Sequence, residues 1–137
     1  MLAEPDLTYR IRGTLIEVSR RYGPCHKERV YQQACGESFR RCGLPFVAQP
    51  RIDIYSLDTG RTIAVHVPDF LVADRILVEL KAVPFLPGQA VAQLEQYLRA
   101  AVYEIGILVN FCTPKAQIVR RIYTNDRKPW MATARVK

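Results

Sequence analysis

Nowhere in the 137 residues does an uninterrupted apolar stretch approach the roughly 18 that a membrane-spanning helix needs. The chain starts with acidic Glu4 and Asp6 where a secretory signal would be basic. These absences argue against a helical membrane protein and lead to the expectation of a soluble, cytoplasmic one. Cysteine is scarce: Cys25, Cys35, Cys42 and Cys112 stand at spacings that suit neither a zinc knuckle nor a compact disulfide framework, so they read as reduced, mostly buried thiols. Acidic residues are outnumbered, thirteen Asp and Glu against twenty Lys and Arg, which leaves a formal charge of +7. A surface of that sign attracts polyanions, nucleic acid first among them. There is no internal repeat and no sign of a second domain, so residues 1–137 read as a single domain.

What the chain does have is core material, 49% apolar residues arranged with clear periods. Leu7, Ile11, Leu15, Val18 and Tyr22 recur at three- and four-residue steps and predict an amphipathic helix over residues 6–22, stopped by Gly23-Pro24. A second helix is predicted from Cys25 to Cys42, ending at Gly43 with Pro45 beyond. From Phe46 the period falls to two, which predicts a strand around Ile52 and Ile54, a turn at Asp58-Thr59-Gly60 and an antiparallel strand from Thr62 to Val72. A tight turn at Ala73-Asp74-Arg75 leads into a third strand, Ile76 to Val83, with Val78, Leu80 and Ala82 on one face and Leu77, Glu79 and Lys81 on the other. A helix carrying Val91, Leu94, Leu98 and Val102 precedes a buried strand, Ile105 to Phe111, and an edge strand, Gln117 to Tyr123. Asn125 to Lys137 reads as a basic, loosely held tail.

Chemistry enters with the hairpin. Antiparallel pairing about Asp74 sets Asp69 directly opposite Glu79, where Cβ atoms lie about 4.5–5.5 Å apart, so two carboxylates face each other and call for a compensating cation. Lys81, two residues on, places its ammonium beside the same pair. Oxygen ligands of this kind suit Mg²⁺ or Mn²⁺, with Lys81 orienting a water or steadying phosphate charge. A solvated Glu–Lys pair is the plainer explanation, but the apolar Ile76-Leu77-Val78 and Leu80 around these charges place them in a partly buried setting. His66, three residues before Asp69, falls on the opposite strand face by alternation and reads as a surface or packed imidazole.

Pro68-Asp69, followed by Glu79-Leu80-Lys81, resembles the PD-(D/E)XK signature. The helical hairpin before it and the helix and strand after it resemble that superfamily's core over residues 6–123. More narrowly, Ile16-Glu17-Val18, Gly23-Pro24, Glu28-Arg29-Val30-Tyr31, Val78-Glu79-Leu80-Lys81-Ala82, Gln93-Leu94 with Tyr97-Leu98, and Asn110-Phe111 resemble the small GxxExxY family. The resemblance implies an α/β fold with a restriction-endonuclease-like core: a helical hairpin, a three-stranded antiparallel meander, a helix and further strands in a mixed sheet. It implies Asp69 and Glu79 as metal ligands, Lys81 as the group assisting water, and Glu28 as a further acidic ligand. It also implies a Gln93–Tyr97 pair supporting the site in the manner of RecB-like nucleases, the two residues lying on one helical face. From the residues alone, Glu28 serves equally as the acid at a helix start and Tyr97 as a core aromatic. The sequence departs from the family at Cys25, where the name has glycine, and at His26-Lys27, where an apolar pair is usual.

The expected function is a metal-dependent nuclease hydrolysing phosphodiester bonds, with DNA favoured over RNA. The alternative is an inactive or weakly active module of the same fold that binds nucleic acid or a protein. Arg120, Arg121, Arg127, Lys128 and Lys137, with Tyr123 and Trp130 interleaved, form either a phosphate-tracking patch or a solvated edge and tail. Little chain remains outside the core to read base sequence, so specificity is expected from nucleic-acid structure, from a homodimer partner or from another protein.

Overall fold

A computed structural model describes residues 3–132, with side chains from residue 6 onward. The stripe at three- and four-residue steps makes α1 (Ala3–Tyr22), whose Leu7, Ile11, Leu15 and Val18 are all buried. Helix α2 (Glu28–Arg41) buries Tyr31, Ala34, Cys35 and Phe39 against it. It starts at Glu28 and not at Cys25, because Cys25 takes a left-handed backbone (φ 76°) that no helix continues. The Tyr31 hydroxyl donates to Gly23 O at 2.5 Å and accepts from His26 N at 3.2 Å, pinning the loop between the helices. The end of α2 falls where Gly43 predicts it: Gly43 (φ 72°) donates to Arg40 O at 3.0 Å and Leu44 donates to Phe39 O at 2.9 Å, the paired bonds of a Schellman cap.

The strands follow as β1 (Phe46–Ala48), β2 (Ile52–Tyr55), β3 (Thr62–His66), β4 (Phe70–Val72) and β5 (Ile76–Lys81), then α3 (Gly88–Ala100), β6 (Ile105–Asn110) and β7 (Gln117–Ile122). The continuous strand expected from Thr62 to Val72 is divided. Pro68, which has no N–H to give a ladder, separates β3 from β4, and Pro50 separates β1 from β2 in the same way. The halves join different sheets: β2 and β3 pair alone, while a five-stranded sheet runs β1-β4-β5-β6-β7. The β4–β5 register is the one expected about Asp74, Phe70 opposite Val78 and Val72 opposite Ile76. Ala73 (φ 53°) and Asp74 (φ 58°) are both left-handed and Arg75 N donates to Val72 O at 3.0 Å, a type I′ turn.

Helices α1 and α2 cover one face of the large sheet through Phe70, Val72, Ile76, Val78, Leu80, Ile107 and Val109. On the other face Ile52, Leu94 and Leu98 meet Leu71, Leu77 and Leu108. The parallel β5–β6 pair lies at the centre and α3 is its crossover. Gly106 lets α3 come close, since a Cβ there would stand 2.6 Å from Leu94 Cδ1. All other pairings in the large sheet are antiparallel, so the α/β mixed sheet has the expected architecture.

The segment after β7 is not a loose tail as far as it is described. Trp130 is buried, donates its indole N–H to Arg99 O at 2.8 Å and stacks on Tyr55 with ring centroids 4.8 Å apart. Lys128 is 3% exposed, and its ammonium donates to Ala101 O (2.8 Å) and Tyr103 O (2.9 Å) at the carbonyl end of α3, where positive charge is favoured. Burial lowers its pKa to about 8. The four cysteines are free, as expected, but only Cys35 is buried, whereas Cys25 and Cys42 are exposed. No helix among the described residues is long and apolar enough to cross a membrane.

Asn110 locks the end of the central pair. Its Oδ1 accepts from Val83 N (3.0 Å) and Cys112 N (3.2 Å), and its Nδ2 donates to Val83 O (3.0 Å) and Gln117 Oε1 (3.1 Å). The residue is fully buried, so these bonds have no water to replace them. Asn110→Ala is expected to cost about 3 kcal/mol or more by leaving several polar groups unpaired. Urea denaturation checks this, and a loss under about 1 kcal/mol would mean the strand ends hold without the amide.

Candidate active site

Strand alternation sends Val78 and Leu80 into the layer under the helical hairpin, so Glu79 and Lys81 share the α3 side of the sheet with Leu77. Both are half-buried, at the carboxyl end of the parallel pair where Lys81 lies opposite Asn110. Asp69 precedes β4 and stays attached to β5 through its side chain: Oδ2 accepts from Leu80 N at 2.8 Å. Its own carbonyl accepts from Gln49 N at 2.8 Å. The carboxylate thus extends the β4–β5 ladder past its last backbone pair and is fixed within the field of Glu79.

Burial is the main cause that pushes the Asp69 carboxyl up from 3.8 to about 6; Glu79 and Glu28 push the same way, against the Leu80 N–H and Lys81. The site is short of positive charge. Glu28, the exposed first residue of α2, lines with Asp69 a cavity of about 460 Å³. Gln93 lines with Lys81 a second cavity of about 460 Å³. Tyr97, one turn along α3, is half-buried, and its hydroxyl pKa is raised by burial and by Glu79. The structure therefore brings Asp69, Glu79, Lys81 and Glu28 into one electrostatic neighbourhood, with Tyr97 beside Glu79 and Gln93 beside Lys81.

His66 belongs to this group, contrary to expectation. Its Nε2 lies 2.5 Å from Glu79 Oε2, each side chain 17% exposed, and its ring stacks on Tyr97 with centroids 3.6 Å apart. Alternation counted from Asp69 fails because Pro68 ends the ladder between β3 and β4, so the two residues belong to different sheets. The available signal was that proline itself, which marks a break across which face cannot be counted.

Among the described residues the basic side chains do not form one patch. Lys128 is spent on carbonyls and Trp130 is buried, which removes both from a phosphate-tracking surface. Arg120 and Arg121 are neighbours on β7 and so point to opposite faces; Arg121 pairs with Glu95 at 2.8 Å. Arg127 lies over the Tyr123 ring at 4.1 Å and is exposed. Lys137 lies outside the described residues.

Among the described residues no three His, Cys, Asp or Glu side chains stand together as a ready-made metal cluster. The donors nonetheless fit a hard divalent ion in kind, since Asp69, Glu79 and Glu28 are all carboxylates and the latter two act on the half-buried Asp69 in the same direction as its burial. In that setting Asp69, Glu79 and Glu28 would be the protein's ligands, with water and phosphate oxygens completing the set.

The Asp69 shift sets a pH dependence. Its folded pKa lies above its unfolded one, so without metal the folded state binds the extra proton and stability falls as pH rises from about 3.8 through about 6. Asp69→Asn is expected to be more stable than wild type by about 1–2 kcal/mol above pH 6, discounted for solvent screening, and equal to it near pH 4. Thermal melts in chelator across that range check this; a variant no more stable at pH 8 would show the carboxylates to be compensated by the protein alone. Mn²⁺ affinity of the wild type should fall as pH drops below about 6, since the metal displaces the proton.

Comparison with known proteins yields no match among curated proteins and none among solved structures. The sequence profile described as the PD-(D/E)XK nuclease superfamily matches residues 5–122. That span runs from α1 through β7 and contains Asp69, Glu79 and Lys81 in their signature order. The chain belongs to the PD-(D/E)XK nuclease superfamily.

Proposed function

We propose that the protein is a divalent-metal-dependent nuclease, acting on DNA in preference to RNA, and that the whole chain is one nuclease-like domain of the GxxExxY kind. The observation that carries this is the Asp69 carboxyl, raised to about 6 by burial beside Glu79 and Glu28 with Lys81 in the same field. Buried like charges cost stability and have a reason where a cation is to be held. A bound Mg²⁺ or Mn²⁺ supplies charge stabilisation to a phosphate in the transition state and acidifies water.

The remaining work falls to side chains. Asp69, fixed by Leu80 N–H, and Glu79, fixed by His66, are the carboxylates that would hold the ion. Lys81 orients the attacking water and holds positive charge toward the phosphate. Gln93 keeps the approach to Lys81 polar, while Tyr97 packs His66 in place. A second role, binding without cleavage, is favoured by one observation: Glu79 Oε2 is already engaged by His66 at 2.5 Å.

Nicking of covalently closed plasmid and of single-stranded circular DNA with Mn²⁺ tests the hydrolytic function. Asp69→Ala and Lys81→Met are each expected to lose at least about 10²-fold in rate while still folding cooperatively in Mn²⁺-free buffer, as thermal melts check. Calorimetric Mn²⁺ binding by the wild type without nicking of any DNA or RNA would favour the binding module. His66→Ala separates the two further: loss of rate with Mn²⁺ still bound fits an orienting group, whereas a gain in metal affinity means that His66 competes with the ion for Glu79.

A further inference from the structure

The cavity lined by Asp69 and Glu28 and the one lined by Lys81 share a glutamine-rich lining. Gln32, Gln33 and Gln49 border the one that holds Glu28 and Asp69, and Gln89, Gln93 and Gln96 border the one that holds Lys81. These are six of the seven glutamines in the chain, so the amides are concentrated around the site and not scattered over the surface. The seventh, Gln117, is bound to Asn110. Among the described residues none of the six side-chain amides has a hydrogen-bond partner. Each cavity has a single cationic side chain, Arg29 in one and Lys81 in the other, although the chain has twenty Lys and Arg.

A surface that holds a duplex by its phosphates needs several cations along both strands, and this cleft has few. A glutamine amide offers two donors and an acceptor at one tip, the pattern that matches the edge of a base. Base edges are open to such contact on their pairing side only when the strand is unpaired, and then they can be splayed into pockets. The cavities, about 460 Å³ each, lie within the size range of small-ligand pockets, and each is lined by a residue of the signature, Asp69 in one and Lys81 in the other.

We propose that the cleft takes an unpaired nucleic-acid strand across the acidic site, with a nucleotide on each side of the scissile phosphate seated in a glutamine-lined pocket and read by neutral amides. This rests on the hydrolytic function above and names its substrate class. Asp69 and Glu28 line one pocket and Lys81 lines the other, and Asp69 stands in the field of both Glu79 and Lys81, so a phosphate joining nucleotides seated in the two pockets would meet these groups.

The test is fluorescence anisotropy with labelled single strands of about 12 nucleotides, DNA and RNA, against the same sequence as a blunt duplex, in Ca²⁺ at fixed salt. The single strand is expected to bind at least about tenfold tighter than the duplex. The double variants Gln33→Ala/Gln49→Ala and Gln89→Ala/Gln96→Ala are each expected to lose about tenfold in single-strand affinity with unchanged melting temperature and unchanged Mn²⁺ binding. Equal or tighter duplex binding, no strand binding at all, or glutamine variants that bind like the wild type would overturn the proposal. Its failure is distinguishable from that of the hydrolytic function. Plasmid nicking untouched by the glutamine substitutions sinks the strand proposal alone. Strand binding lost in both double variants, with no nicking of any substrate, supports it and sinks hydrolysis.

Discussion

The side chain of Asn110 spends its whole hydrogen-bonding capacity on Val83, Cys112 and Gln117, and by doing so ties the exits of β5 and β6 to each other and to β7. Parallel strands have no tight turn between them and are held only by their ladder and by what packs on their faces. An amide sealed at their shared end supplies the missing closure. Lys81 lies opposite Asn110 in the register, and Phe111 N donates to Lys81 O at 2.9 Å, so the position of the lysine is inherited from that closure. Phe111 in turn stacks on Tyr31 at 4.4 Å, and Tyr31 holds the loop before Glu28. The lysine and the α2 acid are thus set by one continuous run of contacts.

The acidic group illustrates how a site is placed by interrupting regular structure. Pro68 ends one ladder, and the next residue, Asp69, satisfies Leu80 N–H with a carboxylate where a backbone carbonyl would otherwise serve. The same break frees β3 to swing into a separate two-stranded sheet and lay His66 against Tyr97 and Glu79. The result is a pair of half-buried acids, each restrained by a different neighbour, with Asp69 raised first by its burial and then by the carboxylates around it. The position of Cys25 makes a related point: its φ of 76° is the conformation glycine adopts without cost, so the left-handed turn before α2 is a backbone requirement that a cysteine meets here.

Much of the fold was legible because its signals are local. The stripe Leu7, Ile11, Leu15 and Val18, the Gly43 cap of α2 and the turn at Ala73-Asp74 each depend on a few adjacent residues, and each formed as the spacing requires. The register that brings Asp69 to β5 was legible for the same reason, since a short hairpin has one centre. What misled were inferences carried across a proline: the single strand from Thr62 to Val72, and the face of His66. Lys128 misled differently. A lysine among arginines reads as surface charge, and only the carbonyls left open at the end of α3 draw it inside.

By itself the sequence determined the amphipathic helices, the strand faces of Glu79 and Lys81 and the hairpin that carries Asp69, because side-chain period and turn chemistry act over short separations. Only the tertiary structure decided that His66 meets Glu79, that Lys128 and Trp130 seal the end of α3, and that glutamines line the cavities of Asp69 and of Lys81. Those contacts join residues from separate elements, and which surfaces meet is set by how the layers pack, a property that no local period encodes.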